Sequence, residues 1–171
     1  MKVFIIVETK KSELKKSTLE LLTLAKGNEI SALVFGSRAK TAADALSTKC
    51  VSEVFWVSDS KFDQYHPQAY VAAASEAINN CGAELILANS SSMGKDLLPG
   101  LAAHFEGTLV ADCTGANLQE MKFEKPFFSG KAIAQVTVES GVKTFVSIRP
   151  NSLSIEETSG SAGKVTELKP S

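Results

Sequence analysis

The sequence has almost no excess charge of either sign, little cysteine or histidine, and no long apolar run, and each shortage removes a class of function. Lysine and arginine number 18 against 19 acidic residues, for a net charge of −1 and a pI near 6.1. A nucleic-acid partner needs a basic footprint that this balance does not supply. No apolar stretch approaches the about 20 residues of a membrane span, so no membrane insertion is expected. The chain opens on an apolar run, Val3 through Val7, so no targeting peptide is expected and a bacterial-type cytoplasm is the expected location.

Cys50, Cys81 and Cys113 are far apart, and no CxxC or CxxH pair exists. That usage fits a reducing compartment and buried thiols. Cys113, at a strand end, is a conceivable nucleophile, but His66 and His104 are the only histidines and nothing places either beside it. Core packing is the favoured reading for this thiol. For the same reason no metal site is expected. A hydrolase reading lacks the Gly-x-Ser-x-Gly elbow that would carry its nucleophile.

What is present is most informative between Leu85 and Gly115. Leu85, Ile86, Leu87 and Ala88 form an apolar run that ends in Asn89, three serines, Met93 and Gly94. Leu97, Leu98, Leu101, Ala102 and Phe105 follow at helical spacing, and a second apolar run leads to Cys113. The pattern predicts strand, polar elbow, helix, strand, and the carboxyl end of such a strand is where open α/β sheets usually bind ligands. The elbow is not a P-loop, because Gly94-Lys95 is followed by Asp96 and the required upstream glycine is replaced by Asn89. Two readings stand: Ser91 or Ser92 caps the helix with Asp96 complementing its dipole, which is favoured, or residues 89–94 form a weak anion site. Pro99 lies inside the pattern, so the helix either starts late, near Asp96, or is kinked.

With 44% hydrophobic residues and a mean hydropathy of +0.04, the chain suits one globular domain. Up to Gly115 it alternates strand and helix, the pattern of a parallel sheet covered on both faces. After the first strand, Ser12 is the expected N-cap of a helix with Leu14, Leu21, Leu22 and Ala25 on one face, stopping at Gly27. Strands are expected at residues 32–35, 53–57, 85–88 and 109–111, with a short helix at 41–46 and a longer one opened by Pro67 and closed by Gly82. Beyond Gly115 short alternating runs appear. Glu139-Ser140-Gly141 reads as the loop of a hairpin joining residues 133–138 to residues 144–148, an antiparallel extension on the parallel sheet. From Asn151 the chain is polar, and Ser159-Gly160-Ser161-Ala162-Gly163-Lys164 reads as flexible linker. Residues 151–171 are therefore expected to add little stability, so that truncation after Pro150 leaves the Tm within a few degrees; a strand at 165–168 is the alternative.

Three ordered motifs carry a resemblance. Gly94, Lys95, Asp96, Leu97, Pro99, Leu101, Ala102 and Ala103, followed by a strand ending in Asp112, match a Gly-Lys/Arg-Asp-Leu-x-Pro-x-Leu-Ala-Ala helix. Phe128-Ser129-Gly130-Lys131-Ala132 is similar to a Tyr-Ala-Gly-Asn-Ala segment, and Ile148-Arg149-Pro150 to a Val-Arg-Pro ending. In these the whole chain resembles the N-terminal domain of the alpha subunit of electron transfer flavoprotein. The resemblance implies an α/β fold with a doubly wound, mainly parallel sheet of the adenine-nucleotide-binding-like class, residues 1–150 forming the domain and residues 151–171 a linker. It implies a heterodimer with a beta subunit that carries FAD and accepts electrons from acyl-CoA or other dehydrogenases, as in fatty acid β-oxidation. The FAD would be bound by a C-terminal domain beyond residues 1–171, whose Gly-Gly-Arg-Gly and Gln-x-Gly-Gln-Thr-Gly motifs have no counterpart here. No catalytic, cofactor-binding or metal-ligating residue is then expected within the chain. Arg149 and Lys131 are candidate interface residues, with solvated surface charge the favoured alternative. Glu8 and Asp96, both expected at strand-carboxyl turns, would oppose a phosphate. The rival reading is a free-standing, stress-type nucleotide-binding module with its ligand over residues 89–94.

Overall fold

Five consecutive apolar residues open the chain because the first strand is buried on both faces. Val3, Ile5 and Val7 point into one hydrophobic cluster, Phe4 and Ile6 into another, as the two-residue period of a strand requires. The computed structural model describes residues 1–139, 141–157, 160 and 162–169. In chain order its elements are β1 (Lys2–Val7), β2 (Thr9–Lys10), β3 (Glu13–Leu14), α1 (Lys16–Leu24), β4 (Glu29–Phe35), α2 (Lys40–Ser47), β5 (Glu53–Val57), α3 (Pro67–Cys81), β6 (Leu85–Asn89) and α4 (Ser92–His104). There follow β7 (Thr108–Cys113), β8 (Gly115–Asn117), β9 (Lys122–Phe127), β10 (Ala132–Thr137), β11 (Thr144–Ile148) and β12 (Lys164–Leu168).

Seven strands form the main sheet in the order β12-β5-β4-β1-β6-β11-β7, every neighbouring pair parallel. Helices α1 and α2 pack on one face and α3 and α4 on the other. A separate antiparallel sheet, β10-β9-β8, covers the rest of the first face through Phe123, Leu118 and Val138. The fold is thus the expected doubly wound α/β arrangement with a C-terminal antiparallel part. Among the described residues, no helix is long and apolar enough to cross a membrane.

Several local expectations are corrected. Residues 144–148 do not pair with residues 133–138: β10 pairs with β9, in the register Val136–Phe123, while β11 enters the main sheet between β6 and β7. All five residues of β11 are buried, so it is an interior strand rather than one arm of an exposed hairpin. Ser140 of the expected loop lies outside the described residues. Ser12 is not a helix cap. Lys11 and Ser12 both have left-handed φ, 51° and 67°, and form the two-residue turn of the β2–β3 hairpin, so α1 begins only at Lys16. Helix α4 does not start late: Ser91 caps it, and Pro99 lies inside it.

The expected linker at 151–171 is corrected over much of its length. Buried Glu20, in α1, accepts backbone N–H groups from Asn151 at 3.0 Å and from Ser152 and Leu153 at 3.1 Å each. Thr23 of α1 and Lys26 just beyond it hold Glu156: the Thr23 hydroxyl accepts its N–H at 3.0 Å, and Lys26 pairs with its carboxylate at 2.7 Å. The segment then passes the end of α2, where the N–H of Gly163 donates to the Ser47 carbonyl at 2.8 Å, and β12 adds to β5 as a parallel edge strand. Ser159 and Ser161 of the expected linker lie outside the described residues, as do Pro170 and Ser171. Polar composition concealed the strap because it is anchored mainly by hydrogen bonds from its backbone, with Leu153 adding an apolar contact.

Glu20→Ala would strip three N–H groups of their acceptor, at about 1–3 kcal/mol for each that stays buried, so a loss of about 3 kcal/mol is expected in urea denaturation. Glu20→Gln, which keeps an acceptor oxygen, is expected to lose less. Deleting residues 151–171 is expected to lower the Tm by well over a few degrees; a Tm matching the full chain would mean that strap and β12 add nothing.

Candidate functional site at the carboxyl edge of the sheet

The chain winds from β1 outward through β4 to β5, then returns to the other side of β1 with β6. That reversal leaves a crevice at the carboxyl ends of β1 and β6, the usual ligand position in such sheets. Here protein groups fill it. The Glu8 carboxylate, its side chain 9% exposed, pairs with Lys15 through one oxygen and accepts the Ser91 hydroxyl through the other. The Ser91 hydroxyl in turn accepts the N–H of Gly94 at 3.0 Å, which caps α4. Glu8 therefore supplies the negative charge that the helix N-terminus attracts, in the place a phosphate would take.

The neighbouring polar groups of the elbow are committed as well. The Asn89 side chain exchanges two hydrogen bonds with Ser17, accepting its hydroxyl at 3.0 Å and donating to its carbonyl at 3.3 Å. Ser90 donates to the Ser147 hydroxyl at 2.8 Å. Gly94 is required by close packing: a Cβ there would lie 1.9 Å from the Asn89 carbonyl oxygen. The phenol of Tyr65 donates to Asp96 at 2.7 Å, and burial together with that carboxylate raises the pKa of the phenol. Thus Glu8 sits in the crevice as expected, whereas Asp96 is engaged by the chain before α3.

Farther along the edge, Arg149 makes a two-pronged contact with Asp112, at 2.6 and 3.2 Å. The guanidinium holds the Asp112 carboxyl below the usual carboxylate range. Asp112 has a left-handed φ of 63°, and its N–H donates to the Ser147 hydroxyl at 2.8 Å. Arg149 is thus held within the domain, while Lys131 is exposed on the antiparallel sheet. Cys113 is fully buried, and burial pushes its thiol up to about 11, so it remains protonated. His66 and His104 are both exposed. Among the described residues, no cluster of histidine, cysteine and carboxylates is arranged to hold a metal.

This edge also carries a cleft of about 580 Å³ over the ends of β1 and β4. Its floor includes Phe35 and Tyr70, stacked with centroids 4.0 Å apart, and its rim includes Lys11 and Arg38. Lys15, Ser17, Tyr65 and Ser147 are participants that the sequence reading missed. They lie in other elements, and no motif spacing links them to the elbow. A second feature it missed is the apolar tip of the antiparallel sheet, where Phe128 is 79%, Ile133 64% and Phe127 42% exposed.

Comparison with known proteins agrees with this fold. The family model described as electron transfer flavoprotein domain matches residues 3–171. The alpha subunit of electron transfer flavoprotein from Syntrophomonas wolfei is 30% identical over 166 residues, covering 95% of this chain and 52% of the relative. The Bacillus subtilis alpha subunit is 27% identical, covering 91% of this chain and 50% of its own length. A lactate dehydrogenase (NAD(+),ferredoxin) subunit from Acetobacterium woodii is 24% identical, covering 86% of this chain and 37% of that relative. The chain spans about half the length of the two alpha subunits.

Two measurements probe the edge. With Glu8 in the anion position, calorimetric titration with AMP or ATP is expected to show no site tighter than about 1 mM, and a micromolar site would restore the nucleotide-module reading. Asp112 has a lowered folded-state pKa, so its pairing stabilises the fold above the unfolded-state value and the benefit fades as pH falls through the folded-state value. Arg149→Ala is expected to return the carboxyl toward its ordinary range, read by NMR titration of Asp112.

Proposed function

Because the chain belongs to the electron transfer flavoprotein domain family, matched across residues 3–171, we propose that it is the scaffold domain of the alpha subunit of a heterodimeric, FAD-containing electron carrier. In this reading it supplies no catalytic residue. FAD is held by the remainder of the full-length subunit, joined to residues 1–150 through the strap and β12. Its partner is a beta subunit, and the assembled carrier accepts electrons from dehydrogenases in the cytoplasm, with acyl-CoA dehydrogenases as one class. The Acetobacterium woodii relative's name widens that class to lactate oxidation. Nothing in the comparisons favours the nucleotide-module alternative.

The observation that carries the partner assignment is the exposed tip of the antiparallel sheet. A phenylalanine at 79% exposure beside an exposed isoleucine and a second phenylalanine is an apolar patch of the kind that marks an interaction site. The adjoining edge strand β10 has no charged residue or proline to guard its free backbone groups. Lys125, 5.7 Å from the Phe127 ring, and Lys131 border the patch, so Lys131 stays a candidate interface contact.

The chain alone is expected to purify colourless and, with the cognate beta subunit co-expressed, to copurify with it. Phe128→Ser combined with Ile133→Ser is expected to abolish copurification while leaving the Tm nearly unchanged, since both side chains are exposed. Stoichiometric flavin absorbance surviving dialysis of the chain alone, or undiminished pairing of the double variant, would overturn the reading.

A further inference from the structure

The basic residues around the β2–β3 hairpin are placed against local stability. Lys16 is the first residue of α1 and Lys40 the first of α2; neither helix has an acidic residue in its first turn or a side-chain N-cap. Positive side chains at helix N-termini oppose the helix dipole, so the folding of α1 and α2 gives no reason for them. Lys10 and Lys11 stand on the hairpin, Lys11 within its left-handed turn, and Arg38 stands just ahead of α2. All five are exposed, and among the described residues none lies within an ion pair.

These residues form one face. Lys10, Lys11 and Lys16 line a single surface depression, Lys11 and Arg38 line the cleft over β1 and β4, and β3 packs on α2. Of the carboxylates here, Glu8 is taken up by Lys15 and Ser91. Asp63 accepts both the N–H and the hydroxyl of Ser37, the N–H being the main cause of its lowered pKa. Glu13 lies opposite Lys10 in the hairpin, Asp44 follows Lys40 by one helical turn, and Arg38 adds to the lowering of the Asp63 pKa. The face therefore combines five exposed cations, none of them in an ion pair among the described residues, with the positive ends of two helix dipoles, on a chain whose net charge is −1.

We propose that the exposed face formed by the hairpin, Arg38 and the N-termini of α1 and α2 docks an acidic protein segment. Its breadth across three elements suits a polypeptide with several carboxylates better than a single small anion, the more so because Glu8 and Asp63 line the cleft between Lys11 and Arg38. Electrostatic complementarity of this kind accelerates and orients encounter, and it weakens as salt screens it. The proposal does not depend on the flavoprotein reading, whose partner surface is the exposed tip of the antiparallel sheet.

The test is titration of the intact chain with a fluorescent octaglutamate peptide at low salt. Binding is expected to weaken at least tenfold in Lys11→Glu combined with Arg38→Glu, but to survive Lys125→Glu combined with Lys131→Glu, an equal change of charge elsewhere. Lys16→Glu combined with Lys40→Glu is expected to weaken the peptide too while raising the Tm by about 1–4 °C, because acidic residues then complement both dipoles. That opposite movement separates a docking role from a structural one. No binding by the intact chain, equal loss in the control variant, or inorganic phosphate binding as tightly as the peptide would each overturn the proposal.

Discussion

The C-terminal third of this protein depends on burying β11 on both of its faces between β6 and β7. Five consecutive residues, Thr144 to Ile148, lie in the sheet interior, and the two polar ones are satisfied locally: Thr144 donates to the Val142 carbonyl at 3.0 Å, and Ser147 takes part in the Ser90 and Asp112 bonds. Once β11 occupies that slot, the chain between β7 and β11 has to lie over the sheet. It does so as the antiparallel β8-β9-β10 layer, which covers the side of the sheet that α1 and α2 leave open. The same insertion brings Arg149 to Asp112 and delivers Asn151 to the buried carboxylate of Glu20.

The carboxyl edge shows how a doubly wound sheet can retain its crevice yet close it. The geometry that draws anions in such folds is present: a reversal of strand order, a capped helix N-terminus and a glycine admitted close to the preceding backbone. The anion is Glu8, with Lys15 and Ser91 arranged around it. Closing the crevice with a side chain converts a binding position into a structural joint between β1, α1 and α4.

Much of this was legible beforehand because it follows from local periodicity. The apolar run of β1, the apolar spacing in α3 and α4, the Pro67 start and the left-handed Gly82 stop of α3 are short-range signals, and Ser91 caps α4 as the capping preference predicts. The motif residues Gly94, Lys95, Asp96 and Pro99 identified the family. The β2–β3 hairpin escaped notice because Lys11 and Ser12, neither of them glycine or asparagine, occupy its left-handed turn. The apolar tip escaped notice because nothing local to Phe127, Phe128 and Ile133 distinguishes an exposed apolar side chain from a buried one.

By itself the sequence determined the class of fold, the order of its first strands and helices, and the family to which the chain belongs, since each rests on spacing within one element or on a contiguous motif. Tertiary structure alone decided which strand pairs with β10, where β11 and β12 enter the sheet, and how the polar strap is held. Those outcomes turn on partners far apart in sequence, such as Glu20 with Asn151, Glu8 with Ser91 and Val54 with Val165. A strand run reads alike whether its neighbour is antiparallel or parallel, and a buried carboxylate reads alike whether it binds a ligand or its own backbone. Only the packing of distant segments, which fixes what each polar group meets once water is excluded, separates those alternatives.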